Sequence, residues 1–291
     1  MSEHGWRTWP VIGYLARKNR GYYLLGYLIL LVYGLWTILP IYWMLVTSVK
    51  SDAEMYTAGA NLLPVTFTLS HYYSTFFQSA FPRQLLNSFI VSTTTTLMAV
   101  VFGAMAGYAL TRLRFLGRTV IARLLVYSYL APGSILFIPI FALMVMYGLW
   151  NTLHGLSLAY LTFTVPFCTW MLMGYFKSIP LELEEAALVD GASRWTVLWR
   201  IVLPLSAPAL VVVAVFSFTN SWNEFLLALV LVQKKEVMTA TVGLTFFQVA
   251  DLFFWGAMMA ASTVMALPPL LLYIIGQRWV ISGWTLGAVK S

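Results

Sequence analysis

A short charged segment, residues 180–204, carries the residues whose types and spacing are most informative. It reads Glu185-Ala186-Ala187, three further residues, Gly191, nine further residues, and then Ile201-Val202-Leu203-Pro204. Pro180 favours a helix start, and Asp190-Gly191 is a turn signal that ends the helix. Ser193 can cap a second short helix, which Leu203-Pro204 then ends. The spacing therefore predicts two short helices that meet at a bend.

No other group of residues has the spacing of a catalytic, metal-binding or nucleotide-binding site. The single cysteine, Cys168, lies in an apolar stretch and is expected to behave as a small hydrophobe. The three histidines, His4, His71 and His154, are scattered without metal-ligand spacing. The chain has no G-x-x-x-x-G-K-S/T loop, so it is not expected to hydrolyse ATP by the usual route. We therefore expect no catalytic residue, no bound cofactor and no metal site.

The composition indicates a membrane protein. Of the 291 residues, 60% are hydrophobic and 9% are charged, whereas soluble domains are about a quarter charged. Stretches that have at most one charged residue and exceed the roughly 20 residues needed to cross the hydrocarbon core predict an all-α fold with six transmembrane helices. They lie at 22–46, at 84–111, twice within 124–176, at 205–232 and at 257–281. A polar, glycine-containing piece at residues 148–155 divides the third span from the fourth.

Lysine and arginine are distributed in register with these spans. Thirteen of the 17 lie at the two termini or in the loops after the second and fourth spans. By the positive-inside rule, both termini and the segment 180–204 are then cytoplasmic. A nucleic-acid-binding patch would not be divided in this way, so no nucleic-acid partner is expected. The sequence predicts a cytoplasmic segment 1–21, a membrane domain 22–283 and a cytoplasmic tail 284–291.

The segment 180–204 resembles the EAA signature of ABC importer permeases, in which E-A-A, G and I-x-L-P stand at these offsets. From about residue 38 to the end, further motifs are similar to those of sugar permeases of the maltose/trehalose type. They are Lys50-Ser51-Asp52-Ala53-Glu54, Leu86-Asn87-Ser88, Arg112-Leu113-Arg114-Phe115, Trp222-Asn223-Glu224-Phe225, Trp255-Gly256-Ala257 and Gln277-Arg278-Trp279-Val280. The resemblance implies the type I ABC importer permease fold, in the plasma (inner) membrane of a bacterium.

The resemblance also implies partners and roles. A second permease subunit would form the translocation path with this chain, and an extracytoplasmic binding protein would deliver a di- or oligosaccharide such as trehalose or maltose. A separate homodimeric ATPase would use ATP and Mg. This chain would couple to it through Glu185, Ala186, Ala187, Gly191, Ile201, Leu203 and Pro204. Two alternatives remain open, namely a permease for a non-sugar solute and a secondary transporter that acts alone.

A polar group lies inside the predicted fifth span. Glu224 is an acid at a depth where a charge costs about 2.5–3.5 kcal/mol on insertion scales, so it is expected to face protein or water. With Asn220, Trp222 and Asn223 it forms either a lining of the sugar path, where the tryptophan ring could stack on a sugar, or a cluster of hydrogen bonds between helices. The sequence leaves both interpretations open.

Overall fold

The computed structural model describes residues 20–57, 61–130, 133–249 and 252–288. The first 19 residues of the predicted segment 1–21, and the last three of the predicted tail 284–291, lie outside this described part. The amino-terminal half contains α1 (Arg20–Thr47), α2 (Asp52–Thr57), α3 (Ser70–Phe77), α4 (Phe81–Arg112), α5 (Arg118–Leu130), α6 (Gly133–Met146) and α7 (Leu153–Phe176). The carboxyl-terminal half contains α8 (Leu181–Val189), α9 (Arg194–Leu205), α10 (Ala207–Asn223), α11 (Leu226–Leu231), α12 (Ala240–Gly243) and α13 (Trp255–Ala288).

The predicted all-α class is confirmed, with one small addition. Between α12 and α13, a 3-10 turn (Leu244–Phe247) leads into an antiparallel hairpin of β1 (Gln248–Val249) and β2 (Leu252–Phe253). Each strand has two residues, so the hairpin shapes a loop and forms no layer of its own.

Four helices of the described part, α1, α4, α7 and α13, are long and apolar enough to cross a bilayer. They correspond to the predicted first, second, fourth and sixth spans. The residues of the predicted third span lie in α5 and α6, on either side of residues 131–132, which are outside the described part.

The predicted fifth span, 205–232, is divided. Its first part is α10, which ends at Asn223, and a second helix, α11, begins at Leu226. The chain between them is extended at Glu224. A prediction from the lack of charge alone does not reveal this break. The break depends on the one charged residue of the span, Glu224, whose carboxylate accepts backbone N–H groups of α11.

The second helix of the segment 180–204 runs further than predicted. Instead of ending at Leu203-Pro204, α9 continues to Leu205 through a wider π-helical turn at Leu198–Val202. Pro204, which has no N–H to donate, lies in the helical turn that directly follows this wider turn. The helix ends at Ser206, whose hydroxyl donates to the carbonyl of Val202 at 2.7 Å. There the chain bends by 80° into α10.

The core of the bundle is built on the close packing of α4 and α7. A Cβ atom at Gly103 would lie 2.6 Å from Cβ of Cys168, so the two helices approach this closely only because residue 103 is glycine. Tyr108, Phe176 and Val197 then join these two helices to α9 in one buried apolar cluster.

The helix α4 has 32 residues, which at 1.5 Å per residue is about 48 Å of length. Near its first turns it contacts α12 and α3, and through its last residue, Arg112, it contacts α8. The loop segments 48–80 and 233–254 therefore lie at one end of the bundle, and the pair α8–α9 lies at the other.

Candidate functional site

The pair α8–α9 has the bent geometry that the sequence predicts. The first helix begins after Pro180 and ends at Val189, and Gly191 in the turn that follows has φ +87°. The N–H of Gly191 donates to the carbonyl of Leu188 at 3.1 Å, and the N–H of Ala192 donates to the carbonyl of Ala187 at 2.9 Å. This is the Schellman ending, in which the left-handed residue is usually glycine.

The second helix of the pair starts at a side-chain cap. The hydroxyl of Ser193 accepts the N–H of Thr196 at 3.1 Å, as predicted for an N-cap serine. Trp195 and Trp199 lie on the exposed side of this helix with their ring centroids 5.7 Å apart. Val197 and Val202 lie on its other side in the core.

The predicted coupling residues lie mainly on the outer surface of the pair. Glu185, Ala186, Gly191 and Pro204 are exposed, and Ala187, Ile201 and Leu203 are half-buried. The structure thus brings the carboxylate and the glycine turn to one free surface at the end of the bundle. Such a surface offers the Glu185 carboxylate and a fixed backbone shape to a partner protein.

The neighbouring acid, Glu184, points the opposite way. Its side chain is 1% exposed and that of Arg112 is 6% exposed. Nε of Arg112 donates to Oε1 of Glu184 at 2.6 Å, and the hydroxyl of Tyr108 donates to Oε2 at 3.3 Å. Arg194 also interacts with that hydroxyl. A charge-assisted network therefore fixes the inner face of α8 to the end of α4.

Arg112 serves the end of α7 as well. Its Nη2 donates to the carbonyl of Phe176 at 2.7 Å and to the carbonyl of Ile179 at 2.9 Å. The last carbonyls of a helix have no partner within the helix, so the guanidinium caps α7 while it pairs with Glu184.

Sequence reasoning missed this buried network. It assigned Arg112 to the count of loop charges and gave the functional weight to Glu185. Two signals were available, namely an arginine at the last position of a long apolar helix and the doubled acid Glu184-Glu185. Neither signal states which of the two acids faces inward, since that depends on how α8 packs.

At the other end of the bundle, polar side chains of α4 hold the loop segment 233–243. Nδ2 of Asn87 donates to the carbonyls of Glu236 and Met238 at 2.9 and 2.8 Å. The hydroxyl of Ser88 accepts the N–H of Ala240 at 2.8 Å. The Leu86-Asn87-Ser88 motif thus acts as a clamp on a loop that lies about 150 positions later in the sequence.

Asn151 contributes a second clamp to the same loop. It has φ +58°, a left-handed conformation that asparagine tolerates better than most residues. Its Oδ1 accepts the N–H groups of Gln233 and Lys234 at 2.6 and 3.1 Å.

The loop segment 48–80 is organised around buried charged side chains. The carboxylate of Glu54 accepts the N–H of Val65 at 3.0 Å and that of Thr66 at 3.2 Å. The hydrogen bond from Val65 is the main cause that lowers the pKa of Glu54 below its ordinary value of 4.5, while burial acts in the opposite direction. Nζ of Lys50 donates to the carbonyl of Asn61 and lies 4.8 Å from the centroid of the Trp43 ring.

The four candidate path residues do not form one open site. Trp222 is 2% exposed, its Nε1 donates to the carbonyl of Met265 at 3.0 Å, and its ring stacks on Phe218. In this structure the ring is therefore enclosed between helices. The side chains of Asn220 and Asn223 are exposed.

Glu224 acts as a helix cap. Its Oε1 accepts the N–H of Leu227 at 2.9 Å and its Oε2 accepts the N–H of Ala228 at 3.1 Å. The backbone carbonyl of Glu224 accepts the hydroxyl of Thr241 at 2.9 Å. These contacts start α11 and join it to α12, which matches the interpretation of a structural hydrogen-bonding cluster.

Within the described ranges, no group of three or more His, Cys, Asp or Glu residues is placed to hold a metal ion. The arrangement at α8–α9 has no nucleophile with an adjacent base. What it offers is a docking surface on the outer face and a charge network on the inner face.

Comparison with known proteins gives three findings. A family model described as "Binding-protein-dependent transport system inner membrane component" matches residues 99–285. The chain is 38% identical over 258 residues to the inner membrane ABC transporter permease protein YcjP of Escherichia coli (strain K12), which covers 88% of this chain and 92% of that protein. It is 35% identical over 255 residues to the trehalose/maltose transport system permease protein MalG of Thermococcus litoralis, with 87% and 91% covered.

The fold also matches a solved structure. A chain from the crystal structure of a bacterial ABC transporter involved in the import of the acidic polysaccharide alginate superimposes with a TM-score of 0.76. The two chains are 25% identical, and the match covers 90% of this chain and 97% of the other.

Proposed function

This chain belongs to the family of binding-protein-dependent transport system inner membrane components, and from that premise we propose that it is one of two permease subunits in an ATP-driven sugar importer. The observation that carries the proposal is the exposed Glu185 beside the Gly191 turn on α8. Both residues stand at the positions of the EAA signature. They lie at the end of the bundle opposite the loop segments 48–80 and 233–254.

The proposed partner at α8–α9 is a separate ATPase, which binds and hydrolyses ATP with Mg. Glu185 supplies charge to this contact and Gly191 supplies backbone shape, while the half-buried Ile201 and Leu203 seat the pair on the bundle. When the ATPase subunits close on ATP, they carry α8 with them. The helices of this chain and of a second permease then re-aim the central path from the cytoplasmic side to the outer side.

The orientation follows from the charge distribution. With both termini in the cytoplasm, α8–α9 lies on the ATPase side, and the loop segments 48–80 and 233–254 lie on the outer side. An extracytoplasmic sugar-binding protein would dock there. The ordered contacts that Asn87, Asn151 and Glu54 make with these loops support a preformed docking face.

The proposed solute is a di- or oligosaccharide such as trehalose or maltose. Support comes from the trehalose/maltose permease relative and from the alginate importer with the same fold. In this chain, Asn220 and Asn223 are the candidates to face the path, because their side chains are exposed. Trp222 and Glu224 support the helices around them.

The second permease has a large apolar surface to pack against. Part of it is an apolar groove of about 650 Å³ between α4, α10 and α13. Its lining includes Phe89, Val215 and Leu271. The helix α1 adds a further apolar surface, because its large apolar side chains between Leu24 and Leu39 are exposed. In the importer, lipid and the second permease would share these surfaces.

The test is purification of the tagged chain from its native membrane in mild detergent. We expect an ATPase and a second permease to copurify. The complex in proteoliposomes should hydrolyse ATP faster when its sugar-loaded binding protein is added. A chain that copurifies with no ATPase and transports sugar in liposomes without ATP would overturn the proposal.

A further inference from the structure

The buried charges at the end of α4 need an explanation beyond stability. Removing an arginine and a glutamate from water costs several kcal/mol per ion, and apolar residues of similar size often hold a core equally well. Here the apolar cluster of Tyr108, Phe176 and Val197 already packs α4, α7 and α9 together. An ion pair, however, fixes one geometry through directed hydrogen bonds, which apolar packing does not.

The single guanidinium of Arg112 reaches three elements at once. It belongs to the last residue of α4, and it pairs with Glu184 on α8. Its Nη2 also donates to the carbonyl of Phe176, the last residue of α7, and to that of Ile179 just beyond it. Each of these contacts is between 2.6 and 2.9 Å. The ends of two long helices and the helix of the docking surface are therefore joined at one planar group.

The placement of the pair matters as much as its geometry. Glu184 and Glu185 are adjacent, so the exposed face of α8 and its buried charge move together. From Arg112, the continuous helix α4 leads back to Asn87, which holds the carbonyls of Glu236 and Met238 at the other end of the bundle. A continuous chain of contacts thus runs from the docking surface to the opposite loops.

We propose that the buried Arg112–Glu184 pair transmits movement of α8 to α4 and α7 during transport. Arg112 and Glu184 are positioning residues in this role, since they contact neither sugar nor nucleotide. The role rests on the proposed function, because α8 moves only if a partner moves it.

The experiment uses the whole complex, with its ATPase and its binding protein, in proteoliposomes. Glu184→Gln removes the charge and keeps the shape. The double variant Arg112→Met, Glu184→Leu replaces the pair by apolar groups and leaves no buried charge unpaired. Controls are Glu182→Gln and Arg114→Gln, which remove exposed charges close by. The readout is sugar transported per ATP hydrolysed, together with the fraction of chain that copurifies with the ATPase.

We expect the double variant to assemble as the unaltered chain does and to hydrolyse ATP. Its sugar transported per ATP should fall by roughly 2- to 30-fold, the range over which residues between coupled sites alter coupling. In Glu184→Gln the sugar transported per ATP should also fall, and in the controls it should not change. A purely structural pair would reduce the amount of complex and leave this ratio unchanged.

An unchanged ratio in an assembled double variant would overturn the inference, as would failure of both variants to assemble while the controls do. Either result is distinct from failure of the proposed function. If the proposed function itself were wrong, the unaltered chain would bind no ATPase or would transport sugar without ATP.

Discussion

Nδ2 of Asn87 lies 2.8 Å from the carbonyl oxygen of Met238, a residue 151 positions later in the chain. A second bond from the same nitrogen reaches the carbonyl of Glu236 at 2.9 Å. Because Asn87 is fully buried, it fixes the loop segment 233–243 to the first turns of α4. The loop that would face a binding protein is therefore held in place by the bundle.

The first prediction concerns this clamp. Asn87→Ala leaves two carbonyls without their donor, and an unsatisfied buried polar group costs about 1–3 kcal/mol. We expect faster amide hydrogen exchange and faster proteolysis within residues 233–243. Leu97→Ala, at a side chain of the same helix that is 62% exposed, is the control. Equal protection of the loop in both variants would show that Asn87 does not hold it.

The second prediction concerns the turn between α8 and α9. A Cβ at Gly191 would meet nothing within 4 Å, but the residue has φ +87°. Gly191→Ala should therefore cause backbone strain of about 1–2 kcal/mol without a clash. Gly191→Pro should be worse, because proline fixes φ near −65° and removes the N–H that donates to Leu188.

In a reconstituted complex, both variants should insert normally. We expect Gly191→Ala to reduce ATP hydrolysis stimulated by the binding protein and Gly191→Pro to abolish it. Gly174→Ala is the matched control, since its Cβ also meets nothing within 4 Å but its backbone is helical. Normal stimulation in Gly191→Pro would contradict the coupling role of the turn.

The third prediction separates the two adjacent acids of α8. Glu185 is exposed, so Glu185→Lys should change the free energy of unfolding by no more than about 0.5 kcal/mol. Its effect should appear as loss of the ATPase on copurification. Glu184→Ala leaves Arg112 buried and unpaired, which should destabilise the chain by about 3–5 kcal/mol. Thermal unfolding in detergent measures the stability of each variant. If Glu185→Lys destabilised the chain and Glu184→Ala only released the ATPase, the assignment of inner and outer faces would be refuted.

Much of the fold could be predicted from the sequence because a bilayer imposes simple rules. Length and lack of charge located α1, α4, α7 and α13. The same rules could not locate the break inside the fifth span, since apolar composition is satisfied equally by one helix or by two. The break at Glu224 depends on a carboxylate that caps α11, which is a local contact.

The candidate site could be predicted in outline. Turn and cap chemistry indicated Gly191 and Ser193 correctly, because these contacts lie within a few residues of each other. The Arg112–Glu184 pair joins residues 72 positions apart, and so it depends on how α4, α7 and α8 pack. Trp222 shows the same limit, because its amphipathic ring suits a sugar path and a helix interface equally well.

The fourth prediction is a pH dependence in the loop segment 48–80. The pKa of Glu54 is lowered in the folded loop, chiefly by the hydrogen bond from Val65. Because the pKa is lowered in the folded state, the carboxylate stabilises the loop fully at pH values above its ordinary pKa of 4.5. The stabilisation is lost as the pH falls through the lower, folded-state value.

We therefore expect the amides of Val65 and Thr66 to be protected at neutral pH and to lose protection below pH 4.5, after correction for intrinsic exchange rates. Glu54→Gln should reduce protection at neutral pH and remove most of the pH dependence. The amides of the α4 core serve as the internal reference. Protection of Val65 that stays constant across this range would contradict the role of the carboxylate.

The fifth prediction decides between the two interpretations of Glu224. If Glu224 caps α11, Glu224→Ala should lower the free energy of unfolding of the chain by about 0.5–2 kcal/mol. Glu224→Gln keeps one acceptor oxygen and should lose less. Asn223→Ala, beside it, removes an exposed side chain and should leave the unfolding temperature unchanged, while it alters sugar uptake if Asn223 faces the path. If Glu224→Ala leaves the unfolding temperature unchanged and uptake falls at saturating sugar, Glu224 belongs to the path, because a cap acts on uptake only through the fraction of folded chain.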